Sequence, residues 1–462
     1  MTTKRIINVF DLGPGDGGKG GVVHKYATEY DAHAILKVGG AQGSHGVTTD
    51  NRSFAFSQWG CGTFENISTH ITNRFVLSPD ALVAEAKALK EVGVSDPWGL
   101  LTIDGSAICS TPYHGFSSRI RELLCGKNPR GTIGSGVGQA YRRHSSHPLL
   151  TFRAHEFSHG DMSRITAKLK AVRANELELL QTLFLGNILE SDREEFNNEL
   201  AMFTDDNFFD YVINIYELLS DILPVVNEYT HLNSLLSVPG TAIIENSHGI
   251  LTDSVVGFNP HTSALRTLPQ FNNNYFEFHK FSGEFINIGV HRAYSIRHGA
   301  GPLPTHDPSM NEQLLPGSNK DENRYQGKVR VGPLDFVLLR YALDQCCKVD
   351  ALAITWFDQV GLNGSWDICD SYSNYDSKVF ESHNTINPIF GGFQNTTDYN
   401  LRIAKALFNV TPTIETISLP ESLIEQSDLC CKIVHDKLNV PVDLVSFGPR
   451  DRNKVLRGIV NV

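Results

Sequence analysis

Residues Asp11–Gly21 read "DLGPGDGGKGG", six glycines and a lysine directly after the run "RIINVF" (Arg5–Phe10). An apolar run that breaks into a glycine-rich turn predicts a buried strand feeding a helix. Such a turn aims backbone N–H groups and the positive end of the helix dipole at an anion. Written Gly13-x4-Gly18-Lys19-Gly20, the stretch is one residue short of a Walker A phosphate loop, which needs Ser or Thr after the lysine to hold Mg²⁺. Lys19 would add a point charge on the outer phosphates. The plainer reading is a tight strand–helix turn without a ligand, and Asp16 weighs against it. A carboxylate inside a loop built for anions is repelled by phosphate unless a cation or a proton lies between them. Asp16 is therefore read as the metal ligand that Gly20 cannot be, or as a base on a substrate.

Outward from this loop, short apolar runs alternate with helical segments, the pattern of a parallel sheet covered on both faces. The expected strands are Ile6–Phe10, Ala34–Val38, Thr241–Glu245, Ala351–Thr355 and Val442–Ser446. "SPDALVAEAKALKEVG" predicts a helix capped by Ser78, opened by Pro79 and ended by Gly93. Phe209–Leu223 carries apolar residues at helical spacing. Residues 155–235 read as a helical insertion, and residues 258–290, rich in Asn, Phe and Gly, as irregular. With no repeat and no low-complexity linker, the fold class is α/β. A P-loop-like, mostly parallel central sheet is covered by helices, and residues 1–462 form one domain that carries the insertion.

Composition is that of a globular protein: 41% hydrophobic, 20% charged, with 39 Gly and 20 Pro in 462 residues. The net charge of -11, with no long basic block, disfavours a nucleic-acid groove but not a local phosphate pocket. No apolar run reaches the roughly 18–20 residues of a membrane span. The N-terminal residues lack a secretory cleavage pattern. Eight cysteines, two adjacent pairs and no C-x-x-C among them, point to reduced thiols and a cytoplasmic setting.

Further glycine turns follow. "KVGGAQGSHGVTT" (Lys37–Thr49) holds His45, a candidate proton donor or phosphate contact. "RGTIGSGVGQAYRR" (Arg130–Arg143) carries the Thr132 and Ser135 hydroxyls and ends in a basic pair. "AYSIRHGAGPLPTHD" (Ala293–Asp307) contains Arg297. "AITWFDQ" (Ala353–Gln359) ends a strand in Asp358. A carboxylate there suits guanine N1–H and its 2-amino group, or caps a helix.

In this order the blocks resemble the adenylosuccinate synthetase family over nearly the whole chain. The family's G-D-E-G-K-G-K core reads Gly15 to Gly21 here, and its G-G-x-N-x-G-H reads Gly39 to His45. "GTIGSGVGQAY" is similar to G-T-T-G-R-G-I-G-P-A-Y, and "AYSIRHGAGPLPT" to A-Y-S-T-R-V-G-A-G-P-F-P-T. "AITWFD" falls where T-K-L-D reads guanine, and "SFGPRDR" (Ser446–Arg452) resembles S-x-G-P-x-R. The resemblance implies GTP as co-substrate, Mg²⁺, and a two-step ligation. Asp16 takes the N1 proton of a 6-oxopurine and touches Mg²⁺, with the Ser44 carbonyl as a second metal ligand. The 6-oxygen attacks the γ-phosphate with help from His45, and aspartate's amine then displaces the phosphoryl group. Nucleotide-binding residues would be Gly15, Gly18, Lys19, Gly20, Asp358, Ser446, Gly448 and Pro449. Gln42, Thr132 and Thr262 would face the purine monophosphate. The family pattern also implies a homodimer that borrows a basic residue across its interface, and no membrane partner.

The departures are selective. The glutamate after the loop aspartate is Gly17, and the closing lysine is Gly21. The second threonine of the third turn is Ile133 and its arginine is Ser135. The basic residue that reaches a partner's nucleotide phosphate falls near His147, with Arg142 and Arg143 close by. In place of T-T-G-R-R-R-R-T-G-W-L-D the chain has "NRYQGKVRVGPLD" (Asn323–Asp335). Lys328 and Arg330 are left there for the amino-acid and ribose side. Losing bidentate arginines weakens carboxylate binding, while Asp16 and His45 are kept, so the pattern reads as a changed substrate. The default acceptor is IMP and the default amino acid aspartate. One alternative is the viral branch, which uses dGMP to make a 2-aminoadenine precursor; its smaller residue in place of the loop aspartate tells against it here. The other is a nucleotide sensor that has lost ligation.

Overall fold

The structure, a computed structural model, describes residues 4–158, 160–183, 188–315, 324–362, 364–387 and 396–461. Asn323 of the Asn323–Asp335 segment lies outside them. The run before the glycine loop forms β1 (Lys4–Asp11), and the loop opens helix α1 (Lys19–Glu29). Then follow β2 (Ala34–Gly40), β3 (Ser68–Leu77), helix α2 (Pro79–Glu91) and β4 (Leu101–Asp104). Helices α3 (Pro112–Leu123) and α4 (Val137–Ser146) flank the third glycine turn. The later strands are β5 (Gly240–Gly249), β6 (Glu284–Arg292), β7 (Ala351–Thr355), β8 (Val442–Ser446) and β9 (Lys454–Leu456). In space their order is β9-β8-β7-β6-β1-β5-β2-β3-β4, continued by Val225–Val226, and every pairing but β8–β9 is parallel.

Alternate residues of a strand point to opposite faces. Ile7 and Val9 of β1 therefore join one core, while Phe10 joins a second and Ile6 a third. β7 does the same, with Ala351 and Ala353 on one side and Leu352 and Ile354 on the other. A sheet buried on both faces explains why these strands read as continuous apolar runs.

β6 is the correction to the sequence reading, which left residues 258–290 irregular. This segment instead holds a helix, Pro269–Phe278, and a strand between β1 and β7 at the middle of the sheet. Its polar residues disguise it. Asn287 accepts from Asn8 Nδ2 at 2.9 Å, Asn8 accepts from Asn246 Nδ2 at 2.9 Å, and Asn272 donates to both Asn8 and Asn246. Asparagines from three adjacent strands and one covering helix satisfy one another, which is what lets them be buried.

Residues 162–237 supply the helices Met162–Gln181, Arg193–Ala201, Asp206–Ile222 and Glu228–Ser237, interrupted by the edge strand Val225–Val226. In α2, Ser78 holds the N-cap position, but its hydroxyl donates to Asp80 at 3.3 Å instead of capping the backbone. Among the described residues no helix is long and apolar enough to cross a membrane, and all eight cysteines are free thiols.

Candidate active site

In open parallel sheets, ligands bind beyond the carboxyl ends of the strands, where the strand order reverses. Here β1 is followed in sequence by β2, yet β5 lies between them in the sheet. The glycine loop leaves the end of β1, and Gln42–His45 leave the end of β2. Ser247 and His248 lie near the end of β5, Arg292 ends β6, Asp358 follows β7, and Ser446–Pro449 leave β8. All of these line one cavity of about 620 Å³.

The loop is held from beneath. Asp11, fully buried at the end of β1, accepts from Gly13 N at 2.8 Å and Gly17 N at 2.6 Å. It also receives the buried Lys19 ammonium at 3.2 Å. Asp16 adopts φ 62°, a conformation Asp tolerates better than most residues. Arg292 Nε fixes it by donating to the Asp16 carbonyl at 2.6 Å, and the same guanidinium lies 4.2 Å from the Trp356 ring centroid. The Asp16 carboxylate meets His298 Nε2 at 2.9 Å; His298 stands where the resembled block has valine. Gly20 packs so closely under the second turn that a Cβ there would fall 2.5 Å from the Gly46 carbonyl oxygen. A Ser or Thr hydroxyl at that position is excluded by the backbone of the next strand.

His45 is held by a carboxylate behind it. Its Nδ1 lies 2.6 Å from Glu245 Oε1, so the neutral ring donates there and leaves Nε2, buried and without a protein partner, to the cavity. Burial pushes the His45 pKa down, against the pull of Glu245. Glu245 stays well below the ordinary carboxylate range. Burial would raise it, but Lys37 at 2.7 Å and His45 outweigh that. Cys61 also belongs to this group, donating its N–H to Glu245 Oε2 at 2.8 Å. His45, Cys61 and Glu245 are close enough to share an ion. However, burial keeps the Cys61 thiol protonated and Lys37 already neutralises the carboxylate, so the cluster works as a hydrogen-bond network.

Beyond the end of β7, Asp358 Oδ2 accepts from Gln359 at 2.7 Å while Oδ1 is a buried acceptor with no partner in the protein. Burial raises its pKa. Ser446 Oγ donates to the Gly448 carbonyl at 2.9 Å and shapes the facing turn. Gln42 bonds His248, whose pKa burial drives to about 3, so that ring is neutral. Thr132 faces Ser118 at 3.3 Å, and Thr262 donates to Asn259 at 3.0 Å.

Gly15, Asp16, Gly18, Lys19 and Gly20 line the cavity. So do Gln42, Ser44, His45, Thr132 and Thr262, together with Asp358, Ser446, Gly448 and Pro449. Lys328 and Arg330 do not. The Arg330 guanidinium donates to the Gly299 and Gly301 carbonyls, and the Lys328 carbonyl accepts from Gly299 N at 3.1 Å. Sequence reasoning missed Asp11, Glu245, Arg292 and His298. Only Asp11, an acid closing an apolar strand before a glycine loop, left a local signal.

The sequence profile of the adenylosuccinate synthetase family matches residues 9–455. The adenylosuccinate synthetase of Thermoplasma volcanium is 24% identical over 98% of this chain and 97% of its own length. That of Chlorobium limicola is 27% identical over 96% and 95%. In fold, the chain is similar to the fully ligated adenylosuccinate synthetase of Plasmodium falciparum, with TM-score 0.74, 17% identity, and 98% and 99% of the two chains covered. It is similar also to a cyanophage S-2L succinoaminodeoxyadenylate synthetase bound to dGMP and to dATP as an energy donor, with TM-score 0.55, 14% identity, and 98% and 95% covered. With the family profile spanning the central sheet, the glycine loop and the turn after β8 alike, the chain belongs to the adenylosuccinate synthetase family of ligases.

Proposed function

We propose that the chain is a GTP-dependent ligase that phosphorylates the 6-oxygen of a purine nucleotide, IMP by default, and then joins the amine of an amino acid, aspartate by default. One arrangement carries this reading: Asp16 and His45, from turns at the ends of neighbouring parts of one sheet, face the same cavity as Lys19 and the acceptor Asp358. The Asp16 carboxylate takes the N1 proton, and the 6-oxygen attacks the γ-phosphorus as the bond to GDP breaks. The amine then attacks C6, loses a proton, and phosphate leaves with the 6-oxygen. Lys19 and the first turn of α1 hold the transferring phosphoryl group. The bare Nε2 of His45 gains a proton as the nucleotide's negative charge approaches, and donates it to a phosphate oxygen. Glu245 fixes the tautomer that makes this possible.

Asp16 and the Ser44 carbonyl are hard oxygen donors that suit Mg²⁺, and when bound the ion neutralises charge on the β- and γ-phosphates. Gln42, Thr132 and Thr262 are assigned to the purine monophosphate. Lys328 and Arg330 are assigned to the amino-acid and ribose side, acting through the Gly299–Gly301 turn they support. A homodimer in the cytoplasm belongs to the same reading.

The test mixes protein, Mg²⁺, GTP, aspartate and IMP, and follows phosphate release with ultraviolet absorbance. Asp16→Asn and His45→Asn should each lower turnover by about a thousandfold or more while GTP binding persists. Unchanged turnover in both would sink the mechanism. The cyanophage relative's ligands put dGMP and dATP into the same assay. Turnover with dGMP alone would select the viral-type reaction, and binding without turnover on any pair a sensor.

A further inference from the structure

Asp16 stands among glycines. Gly15 and Gly18 hold backbone angles that favour glycine, φ 119° and 87°, and a Cβ at Gly17 would fall 2.5 Å from Asp11 Oδ2. None of these loop positions therefore offers a side chain to steady the Asp16 carboxylate. A contact arrives instead from distant sequence. His298 Nε2 lies 2.9 Å from Asp16 Oδ2, and the His298 side chain is 16% exposed. An ionised carboxylate only accepts, so Nε2 carries the proton of this bond. His298 is itself held on a two-stranded ribbon, in which Ser295–His298 pairs antiparallel with Val329–Gly332 and His298 stands opposite Val329. Ile296 and Val331, also opposite each other, are buried in the second core. At one end of the ribbon Asp335 N donates to Ser295 Oγ at 3.1 Å. At the other, Gly299 N donates to the Lys328 carbonyl at 3.1 Å, and the Arg330 guanidinium spans the Gly299 and Gly301 carbonyls. Between them the buried Arg297 donates to the His261 carbonyl at 3.0 Å. A group mounted on a strand tied at both ends keeps its place better than one carried by a glycine loop.

We propose that His298 is a positioning residue for the base of the reaction: its Nε2–H clamps the Asp16 carboxylate and so sets the angle at which that group meets the purine. With Oδ2 held, the carboxylate cannot turn about its Cβ–Cγ bond, and Arg292 fixes the backbone beneath it. Proton transfer needs donor and acceptor within hydrogen-bond reach and aligned, so a clamp of this kind acts on the chemical step more than on binding. Arg330, committed to the turn after His298, holds the clamp in register. The inference rests on Asp16 acting as the base on a 6-oxopurine.

The experiment uses the full-length protein in two arms. In the first, steady-state kinetics with GTP, IMP and aspartate compare the wild type with His298→Leu, which keeps the bulk and removes the donor, and His298→Gln, whose amide can still donate. His298→Leu should lower kcat about 10- to 100-fold, the cost of a misplaced reacting group. The KM values for GTP and IMP should stay within about threefold, as expected when binding is spared. His298→Gln should recover most of the loss, which separates the clamp from misfolding. In an Asp16→Asn background His298→Leu should cost less than about twofold more, because the clamp has no base left to hold. The second arm needs no turnover. Nuclear magnetic resonance of protein labelled with ¹⁵N-histidine follows the His298 Nε2–H signal, identified by its loss in His298→Gln. That signal should move upfield in Asp16→Asn, since the acceptor loses its charge. A kcat for His298→Leu close to wild type, equal losses in the Leu and Gln variants, a full further loss in the Asp16→Asn background, or a signal indifferent to Asp16→Asn would each overturn the proposal. A signal that responds to Asp16→Asn in a protein with no turnover would leave the clamp standing while defeating the ligase reading.

Discussion

Asp358 shows what a single buried atom can specify. Its Oδ1 is removed from solvent and unpartnered in the protein, and an acceptor in that condition is costly unless a ligand supplies the donor. Guanine offers N1–H and a 2-amino group side by side; adenine offers neither. Asp358→Asn should therefore raise the KM for GTP about 10- to 100-fold, from the loss of hydrogen bonds to a charged acceptor. It should improve use of xanthosine triphosphate, whose 2-oxo group accepts from the new amide. Steady-state kinetics with GTP, ATP and xanthosine triphosphate checks this, and a parallel decline with all three would remove Asp358 from the base pocket. Asp16 works by the same logic of placement. Its left-handed backbone is pinned by Arg292 and its carboxylate is met by His298, two residues from distant sequence that no local pattern announces.

At the scale of elements, the helix that opens on the glycine loop and the strand His45–Thr48 touch through Gly20. This is why the loop departs from the Walker pattern: the space for a hydroxyl is filled by the Gly46 carbonyl. Gly20→Ser, which completes that pattern on paper, should destabilise the protein by about 1–3 kcal/mol through overpacking. It should also weaken nucleotide binding, because relief of the clash moves His45 away from Lys19. Urea denaturation and GTP titration measure both effects; a stable variant with normal affinity would show that the two elements can part freely. The loop's other departures are also matters of space. A Cβ at Gly17 would fall 2.5 Å from Asp11 Oδ2, and one at Gly21 3.2 Å from Lys454 Cε. Lys454 thus brings an ammonium to the site of the missing loop lysine, donating to the Pro449 carbonyl at 3.0 Å.

For the whole molecule, neutral buried histidines set an acid limit on stability. Burial holds His70, in β3, to about 3 and His114, in α3, to about 4, against an ordinary value of 6.5. Their folded pKa values lie below the unfolded ones, so from about pH 6.5 down to about 4 the unfolded chain binds more protons. Stability is complete above that window and falls through it, by up to about 1.4 kcal/mol per pH unit for each group. Denaturant midpoints at pH 7.5, 6 and 5 should decline in that order. A flat profile would mean that these rings are hydrated or charged in the native state.

Much of the fold was legible locally. Five strands of the sheet and the glycine turns at their ends could be read because burial on both faces leaves a continuous apolar run, and a turn over an anion needs glycine wherever it occurs. β6 was illegible because polar residues break its apolar run, and the buried Asn287 among them is satisfied by Asn8 only after the strands assemble. In the same way, sequence named Asp16, His45 and Asp358 as chemistry-bearing residues, since their type and their turns are local facts. Tertiary structure alone decided that Glu245 stands behind His45 and that Arg330 is committed to the Gly299–Gly301 carbonyls. Partnership between groups tens to hundreds of residues apart is set by strand order and packing, and a hydrogen bond across that distance leaves no periodicity in the chain.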